Sequence, residues 1–413
     1  MARRLALLIT LLAVTSFATA GNDWPRFRGP NGTGTSTDKD VPLKWTAADG
    51  VLWKTPLTGS GNSSPIVSNG RIFLQSASPA ERSLVCIDAA TGKVLWTRGL
   101  PGQRARMHPK NTLASGTPAS DGERVYVASW DGKDLILLAY SKGGDLVWRR
   151  DLGAFASQHG AAHSPVVEGG RVFLADDQDG SAVVLGFDAA SGRPLWRTER
   201  KAFRACYSTP FVRPAGTGAE LVVASTAGVS AYDPESGAVN WHCDWAFPKK
   251  PLRTVASPVA GAGLIFANAG DGDGSRDMIA VQPGNKADGA SGKVVWQESK
   301  SFPYVPSLIV DGGYLFSVAD NGVAACHQAR TGERIWNERL GSPVSASPVL
   351  VGDRIYAASE DGQVYVFAAA GTYRLLAKNS LDEPIMATPA VADGRLYIRG
   401  KDHLFCIGKT VVK

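Results

Sequence analysis

Five stretches of this chain reach a tryptophan by nearly the same approach. "LVCIDAATGKVLW" ends at Trp96, "VLGFDAASGRPLW" at Trp196, "GVSAYDPESGAVNW" at Trp241, "GASGKVVW" at Trp296 and "ACHQARTGERIW" at Trp336. Working backwards from each Trp exposes a longer unit. His163 to Trp196, "HSPVVEGGRVFLADDQDGSAVVLGFDAASGRPLW", contains three turn signals: an xG pair, then DG or NG, then TG or SG. Short alternating apolar runs between such turns are the strongest local hairpin signal, and three hairpins in succession make a four-stranded antiparallel meander. In the turn before each Trp, Asp88, Asp188 and Asp233 are placed to accept backbone hydrogen bonds in an Asx-turn. Gly92, Gly192 and Gly237 supply the positive φ that ends it. The Trp four residues later carries a large area to bury against a neighbouring sheet, so these Asp and Trp residues are read as scaffold.

Eight prolines, most of them in Ser-Pro or Thr-Pro, count the units. Pro65, Pro118, Pro165, Pro210, Pro258, Pro306, Pro348 and Pro389 are separated by 53, 47, 45, 48, 48, 42 and 41 residues. A period of about 40–50 residues with four strands per unit indicates a propeller. Seven units end with their own fourth strand, although the seventh, "YRLLAKNSL", has lost the Trp. The eighth, "ATPAVADGRLYIRGKDHLFCIG", stops after three. Its missing strand is available at the front as "GVLWKTPL", Gly50 to Leu57, with Trp53. The expectation is an all-β, eight-bladed propeller of four-stranded antiparallel blades, closed by an N-terminal strand that removes the open sheet edges.

Outside the ring, Arg3 and Arg4 precede the apolar run "LALLITLLAV" and then "ATA" at Ala18 to Ala20. This is the layout of a signal peptide cleaved after Ala20, a buried helix being the alternative. Cleavage takes the formal charge from +6 to +4. The organisation expected is 1–20 signal peptide, 21–49 N-terminal arm, 50–408 propeller and 409–413 tail. The arm, "NDWPRFRGPNGTGTSTDKDVPLKW", should lie along the ring, pinned by Trp24, Phe27 and Trp45. A monomer exported to the periplasm or cell envelope, soluble once cleaved, is expected, since no later stretch is long and apolar enough to span a bilayer. Basic and acidic residues are interspersed without a Lys/Arg block, so nucleic acid is not an expected partner. Five widely spaced cysteines are no disulfide framework. Cys86, Cys326 and Cys406 share one place in the repeat and read as small buried hydrophobes, while Cys206 and Cys243 could pair.

The repeat resembles the quinoprotein-type, or PQQ-like, β-propeller family, whose signature is A-x-D-x-x-[TS]-G-x-x-x-W. "AYDPESGAVNW" matches every fixed position, as Ala231, Asp233, Ser236, Gly237 and Trp241; "CIDAATGKVLW" and "GFDAASGRPLW" depart only at the first. The opening "DWPRFRGPNGTG" also looks like the start of many exported bacterial propellers of the BamB-like, PQQ-binding-like group. The resemblance implies one of two functions. One branch is the PQQ-dependent alcohol dehydrogenases, generally larger, with two adjacent cysteines over the quinone, Ca²⁺ held by carboxylate and amide oxygens, and an Asp base. The other contains non-catalytic propellers such as BamB, which dock other proteins. This chain has no adjacent Cys pair and no long insertions, and no Cys near the cleavage site to take a lipid. A binding or scaffolding role without a cofactor is therefore expected, with a PQQ- and calcium-dependent dehydrogenase as the alternative.

In a meandering propeller, the loops from each fourth strand to the next first strand share one face with the loops between second and third strands. Residues just before the proline marks should ring that face: Arg104, Arg106, His108 and Lys110, then His159 and His163, Arg204 and Tyr207, Lys249, Lys250 and Arg253, and Tyr304. Five successive loops so aim basic or aromatic side chains at one rim, where an envelope protein or acidic small ligand could bind; exposed loops are also charged without function. "NAGDGDGSRD" offers Asp271, Asp273 and Asp277 at alternate spacing, as a calcium loop or a solvated hairpin, though Gln282 stands where an EF-hand needs a carboxylate. His159 and His163 could ligate zinc, but no acid or Cys accompanies them in sequence. No G-x-S-x-G, Walker loop or H-E-x-x-H occurs.

Overall fold

A computed structural model describes residues 22–409, apart from 48, 80, 217 and 288. The leader read from the sequence lies outside this range. The described residues contain strands and turns only, in eight sheets, each built on a four-stranded antiparallel meander, one of which gains a short fifth strand. Among the described residues no helix is long and apolar enough to cross a membrane. Blade 1 is Ile66–Ser68, Arg71–Ala77, Arg82–Asp88 and Val94–Leu100, and the rest follow at the spacing of the repeats. In blade 8 the strands Ala390–Ala392, Arg395–Arg399 and His403–Ile407 are completed by Val51–Pro56, antiparallel to the last of them, with Trp53 opposite Cys406. The ring closes as the sequence predicts.

The proline marks have a structural reason that the period alone does not reveal. The backbone N–H of Ser64 donates to the Thr117 hydroxyl of the next blade, and Thr117 N–H donates to Ser164. Thr209 donates to Ser257, Ser257 to Ser307, Ser307 to Ser347, Ser347 to Thr388, and Thr388 back to Ser64, all at 3.0–3.1 Å. Seven links thus form an inner belt between blades. A following proline holds the hydroxyl residue extended, which presents both groups sideways to the neighbours. In blade 6 the belt residue is Ser307, one place after Pro306, and Leu308 takes the proline's position.

The tryptophans form the outer counterpart. Trp53, Trp96, Trp148, Trp196, Trp296 and Trp336 each donate the indole N–H to a carbonyl in the next blade's turn: Ala89, Lys142, Ala189, Pro234, Ala329 and Ala370, at 3.0–3.2 Å. Trp241 donates instead to the Glu220 carboxylate. The turn glycine must have no side chain, because a Cβ on Gly192 (φ 67°) would lie 2.5 Å from the Trp148 ring. Asp88 accepts from the N–H groups of Ala90 and Thr91, which is the expected Asx-turn. Burial of these tryptophans is uneven, however. Trp148 and Trp241 are buried, whereas Trp96 and the other docking rings are half-exposed at the outer edge.

All five cysteines are buried and free. Cys206, on a loop, and Cys243, on a fourth strand, do not pair. Burial pushes the thiols of Cys86, Cys326 and Cys406 up to about 12, in keeping with small core groups.

The segment before the ring does more than lie along it. Trp24 exchanges backbone hydrogen bonds with Val67 of blade 1, and the Pro25 carbonyl accepts from Ser120 of blade 2. Arg26 faces Glu168 of blade 3 at 3.7 Å, Arg28 donates to the Leu308 carbonyl of blade 6, and Thr35–Ser36 pairs in parallel with Val349–Val351 of blade 7. These partners stand on opposite sides of the ring, so the segment crosses the axis and closes that end of the channel. Trp24 and Trp45 are buried as expected, but Phe27 is only half-buried. Two arginines join them. Arg28 is 1% exposed, partnered only by carbonyls, and burial lowers its guanidinium to about 9.

The outer contacts make unequal predictions. Trp148→Ala should cost about 3–5 kcal/mol, the range for a buried aromatic, and Trp96→Ala roughly half that. Equal losses in denaturant melts would contradict the burial difference.

Candidate functional site

The opposite end of the channel is framed by the loops between blades. The longest, residues 101–118, is anchored by Arg82, a buried side chain of blade 1 whose guanidinium donates to the carbonyls of Trp130, Gln103 and Asp131. From there it reaches across two directions. His108 donates its backbone N–H to the His159 carbonyl, and the two imidazoles stack at 5.2 Å. Lys110 pairs with Glu360 of blade 7 at 2.6 Å. Arg104, Arg106 and His108 lie exposed along it.

The other expected residues come together, but not as a free basic surface. Arg204 and Lys250 both bind Asp271, at 2.7 Å each, and Lys250 also meets Asp273 at 3.0 Å. Arg253, 2% exposed, sits between Asp271 at 3.9 Å and Asp179 at 4.0 Å. Three cations and three carboxylates therefore neutralise one another. Burial pushes the Asp271 carboxyl up, but Arg204 and Lys250 outweigh it and hold the group well below the usual carboxylate range. Tyr207 shares a 2.7 Å hydrogen bond with Ser157, and burial raises its phenol to about 12. Tyr304 packs on Gly270 beneath the guanidinium of Arg276, 5.3 Å from its ring centre. Burial, then Arg253, His108 and Arg204, lower His159, which favours the uncharged imidazole. Lys249 is exposed.

His163 is not on the rim. It is 5% exposed, edge-on to Phe155 at 4.7 Å, with its Nε2 3.3 Å from Asp176. Beside it, Asp177 faces Arg200 at 3.6 Å. This buried quartet underlies the loop that carries Arg204 and Tyr207, since Asp177 and Asp179 accept from the N–H groups of Cys206 and Ala205.

The sequence offers Asp271 and Asp273 on a loop of this face, but not their pairing with cations from the loops between blades, because the partners lie far apart in the chain. "DQDG" at 177–180 and "DGDG" at 271–274 were the available signal. Asp271 and Asp273 serve as counter-ions rather than as a calcium loop. Asp277 points elsewhere, accepting from Trp245, Gln297 and Ser299 in the core. Among the described residues no three His, Cys, Asp or Glu side chains are grouped to hold a metal. The clustered donors do not fit the calcium-held quinone that the enzyme branch implies: Asp179, Asp271 and Asp273 are committed to Arg and Lys, and the cysteines are isolated in the core. One apolar group stands out at this face. Phe203, next to Arg204, is 62% exposed.

The buried quartet gives a pH dependence of definite sign. Burial pushes the Asp177 carboxyl from its ordinary 3.8 up to about 6, against the pull of Arg200. The folded state therefore binds more protons than the unfolded one between these values, and this group's contribution to stability declines as pH rises through that window. The melting temperature of the wild type, taken relative to Asp177→Asn, should fall from pH 4 to pH 6. A difference that stays flat would place the titration elsewhere.

A family model described as outer membrane protein assembly factor BamB matches residues 30–133, 80–280 and 285–375. The assembly factor BamB of Yersinia pestis is 23% identical over 299 residues, covering 68% of this chain and 70% of that protein. Among solved structures, BamB from Moraxella catarrhalis superposes with a TM-score of 0.64 at 15% identity, over 88% of this chain and 98% of the other. The quinohemoprotein alcohol dehydrogenase from Comamonas testosteroni gives 0.68 at 14%, over 96% and 82%. At such identities the two structures share the fold, and the fold serves both a named assembly factor and a named enzyme.

Proposed function

Because the chain belongs to the family of outer membrane protein assembly factor BamB, we propose that it is an exported, non-catalytic binding module of the cell envelope. It docks an envelope protein, or an acidic ligand, on the loop face of the ring. The observation that carries this reading is what remains after the rim's internal pairing. Arg104, Arg106 and Lys249 are exposed and have no carboxylate within 4 Å among the described residues, and Phe203, next to Arg204 in the chain, is exposed as well. Arginine and aromatic side chains on loops held by a rigid scaffold are what protein interfaces use most. Arg204, Lys250 and Arg253 act in this reading as the frame of the surface, with Tyr207, Tyr304 and His159 packed into it and His108 at its edge. His163 lies beneath and sets the loop rather than touching a partner.

Export by residues 1–20 and a monomeric state are part of the same proposal. The dehydrogenase alternative gains nothing from the cluster at the channel mouth, where Asp179, Asp271 and Asp273 face Arg and Lys and the described cysteines are not adjacent. The chain retains no cofactor in the favoured reading.

The test is capture from an envelope extract by the purified protein, beside a variant carrying Arg104→Ala, Arg106→Ala and Lys249→Ala. The variant should melt as the wild type does and lose most of the captured protein, and wild-type capture should weaken as salt rises, because exposed charges are screened. Capture indifferent to both changes would remove the site from this face. Dye reduction by alcohol after addition of PQQ and Ca²⁺ would replace the reading with the enzymatic one.

A further inference from the structure

Loop 101–118 crosses the loop face as a strap, and its far end rests on two histidines. At its base, Asn62 and Ser63 donate their N–H groups to the Ala114 carbonyl, neutral contacts that pH leaves alone. Further out, the strap meets the loop between blades 2 and 3. His108 N–H and Asn111 Nδ2 both donate to the His159 carbonyl, at 3.2 and 2.7 Å, and the imidazoles of His108 and His159 stack with 24° between their planes. The approach is close, since a Cβ on Gly160 would lie 3.0 Å from Met107. On the other side Lys110 meets Glu360 of blade 7, and the Lys110 carbonyl accepts from Asn62 Nδ2 at 2.9 Å.

This contact needs both imidazoles uncharged. The Lys110 N–H donates to His108 Nδ1 at 3.2 Å, so that nitrogen must present its lone pair, and an imidazolium has none to offer. Together with the 2.8 Å bond from Asn111 N–H to the His108 carbonyl, it shapes the turn that sets Lys110 against Glu360. His159 Nδ1 is buried without a partner, so a charged ring would place an unpaired N–H there. The charged groups facing His159 from the neighbouring loops are Arg253, Arg204 and Asp179, two cations against one carboxylate, and Asp179 already faces Arg253 at 4.0 Å. A proton on either ring therefore meets net positive surroundings, and protons on both add the repulsion of two stacked cations.

We propose that loop 101–118 is an acid-released strap: protonation of His108 and His159 frees it from the loop between blades 2 and 3 and undoes the turn that holds Lys110 on Glu360. Histidine changes charge between pH 5 and 8, a range that ordinary carboxylates and lysines do not enter. Burial, then Arg253, His108 and Arg204, hold His159 below its ordinary 6.5 while the strap is closed. The closed strap thus binds fewer protons than the open one, and closure weakens as pH falls below that value. Arg104 and Arg106 ride on the strap, so acid also rearranges cations of the docking surface, but the strap itself does not depend on that reading.

Hydrogen exchange by mass spectrometry on the full chain reads the strap directly, in peptides covering residues 107–112. Corrected for the intrinsic exchange rate, their protection should fall at least about tenfold between pH 7.5 and pH 5.5, the change that one proton taken up over one pH unit produces. Protection of Arg124–Trp130 in blade 2 should hold across that range. His108→Asn, whose Oδ1 replaces Nδ1 as acceptor for the Lys110 N–H, should make the fall shallower. So should His159→Phe, which keeps a stacking ring, and the two together should abolish the fall. Each variant keeps a different part of the contact, so one that loses the strap altogether leaves the other readable. Wild-type protection that stays level, or a fall unchanged in both single variants, would overturn the proposal. So would a fall that persists with both rings replaced, which would place the titration on the buried His163 and Asp177, or a parallel loss over Arg124–Trp130, which would make it unfolding of the blade.

Discussion

A blade of this protein has two faces to cover and one edge to protect, and it can do neither alone. The joint between successive blades is therefore the interaction on which everything else rests. It is made twice, at different radii. Near the axis, first strands of two to five residues leave little apolar area, and the Ser/Thr hydroxyls carry the contact from blade to blade as hydrogen bonds. At the periphery, where fourth strands reach nine residues, an indole spans the wider gap and ends on the next turn's carbonyl. Between them lie the apolar clusters, several of which combine residues of adjacent sheets. Closure by Val51–Pro56 ties the first and last of these joints together and leaves no exposed sheet edge at the seam.

That joint also separates scaffold from function. The strands repeat because each must match the same neighbour, while loops at the far end are free to differ. One end of the channel is filled by the segment carrying Arg26 and Arg28, so binding chemistry is left to the other. There the charges are mostly spent on one another. Asp179, Asp271 and Asp273 order loops from three blades through Arg253, Arg204 and Lys250. A surface built this way is preorganised, which lowers the entropy lost on docking. It offers an acidic partner only the cations left unpaired.

Much of the fold was legible because it is periodic. Asp-x-x-[Ser/Thr]-Gly-x-x-x-Trp states a turn, a strand and a docking ring in one phrase, and the lone "VLW" at Trp53 shows where the last strand comes from. Less legible was anything that depends on who faces whom. Trp96 and Trp148 look alike in sequence, yet one is half-exposed and the other buried. Arg204 reads as a free cation until Asp271, 67 residues away, is placed against it. His163, read as a rim residue, lies under the rim because Asp176 draws it inward. That blade 7 lacks a tryptophan and that Trp45 pins the arm were both legible, but only the folded ring stacks Trp45 on Tyr356 of that blade.

Native-state hydrogen exchange over residues 51–56 tests the central claim, that the ring is one closed unit held at its joints. If it is, these amides should exchange only through global opening, with the same protection free energy as the inner strands of blades 3 to 5. If the segment exchanges as fast as loop 101–118 while those blades remain protected, the seam is open in solution and the account of a closed ring fails.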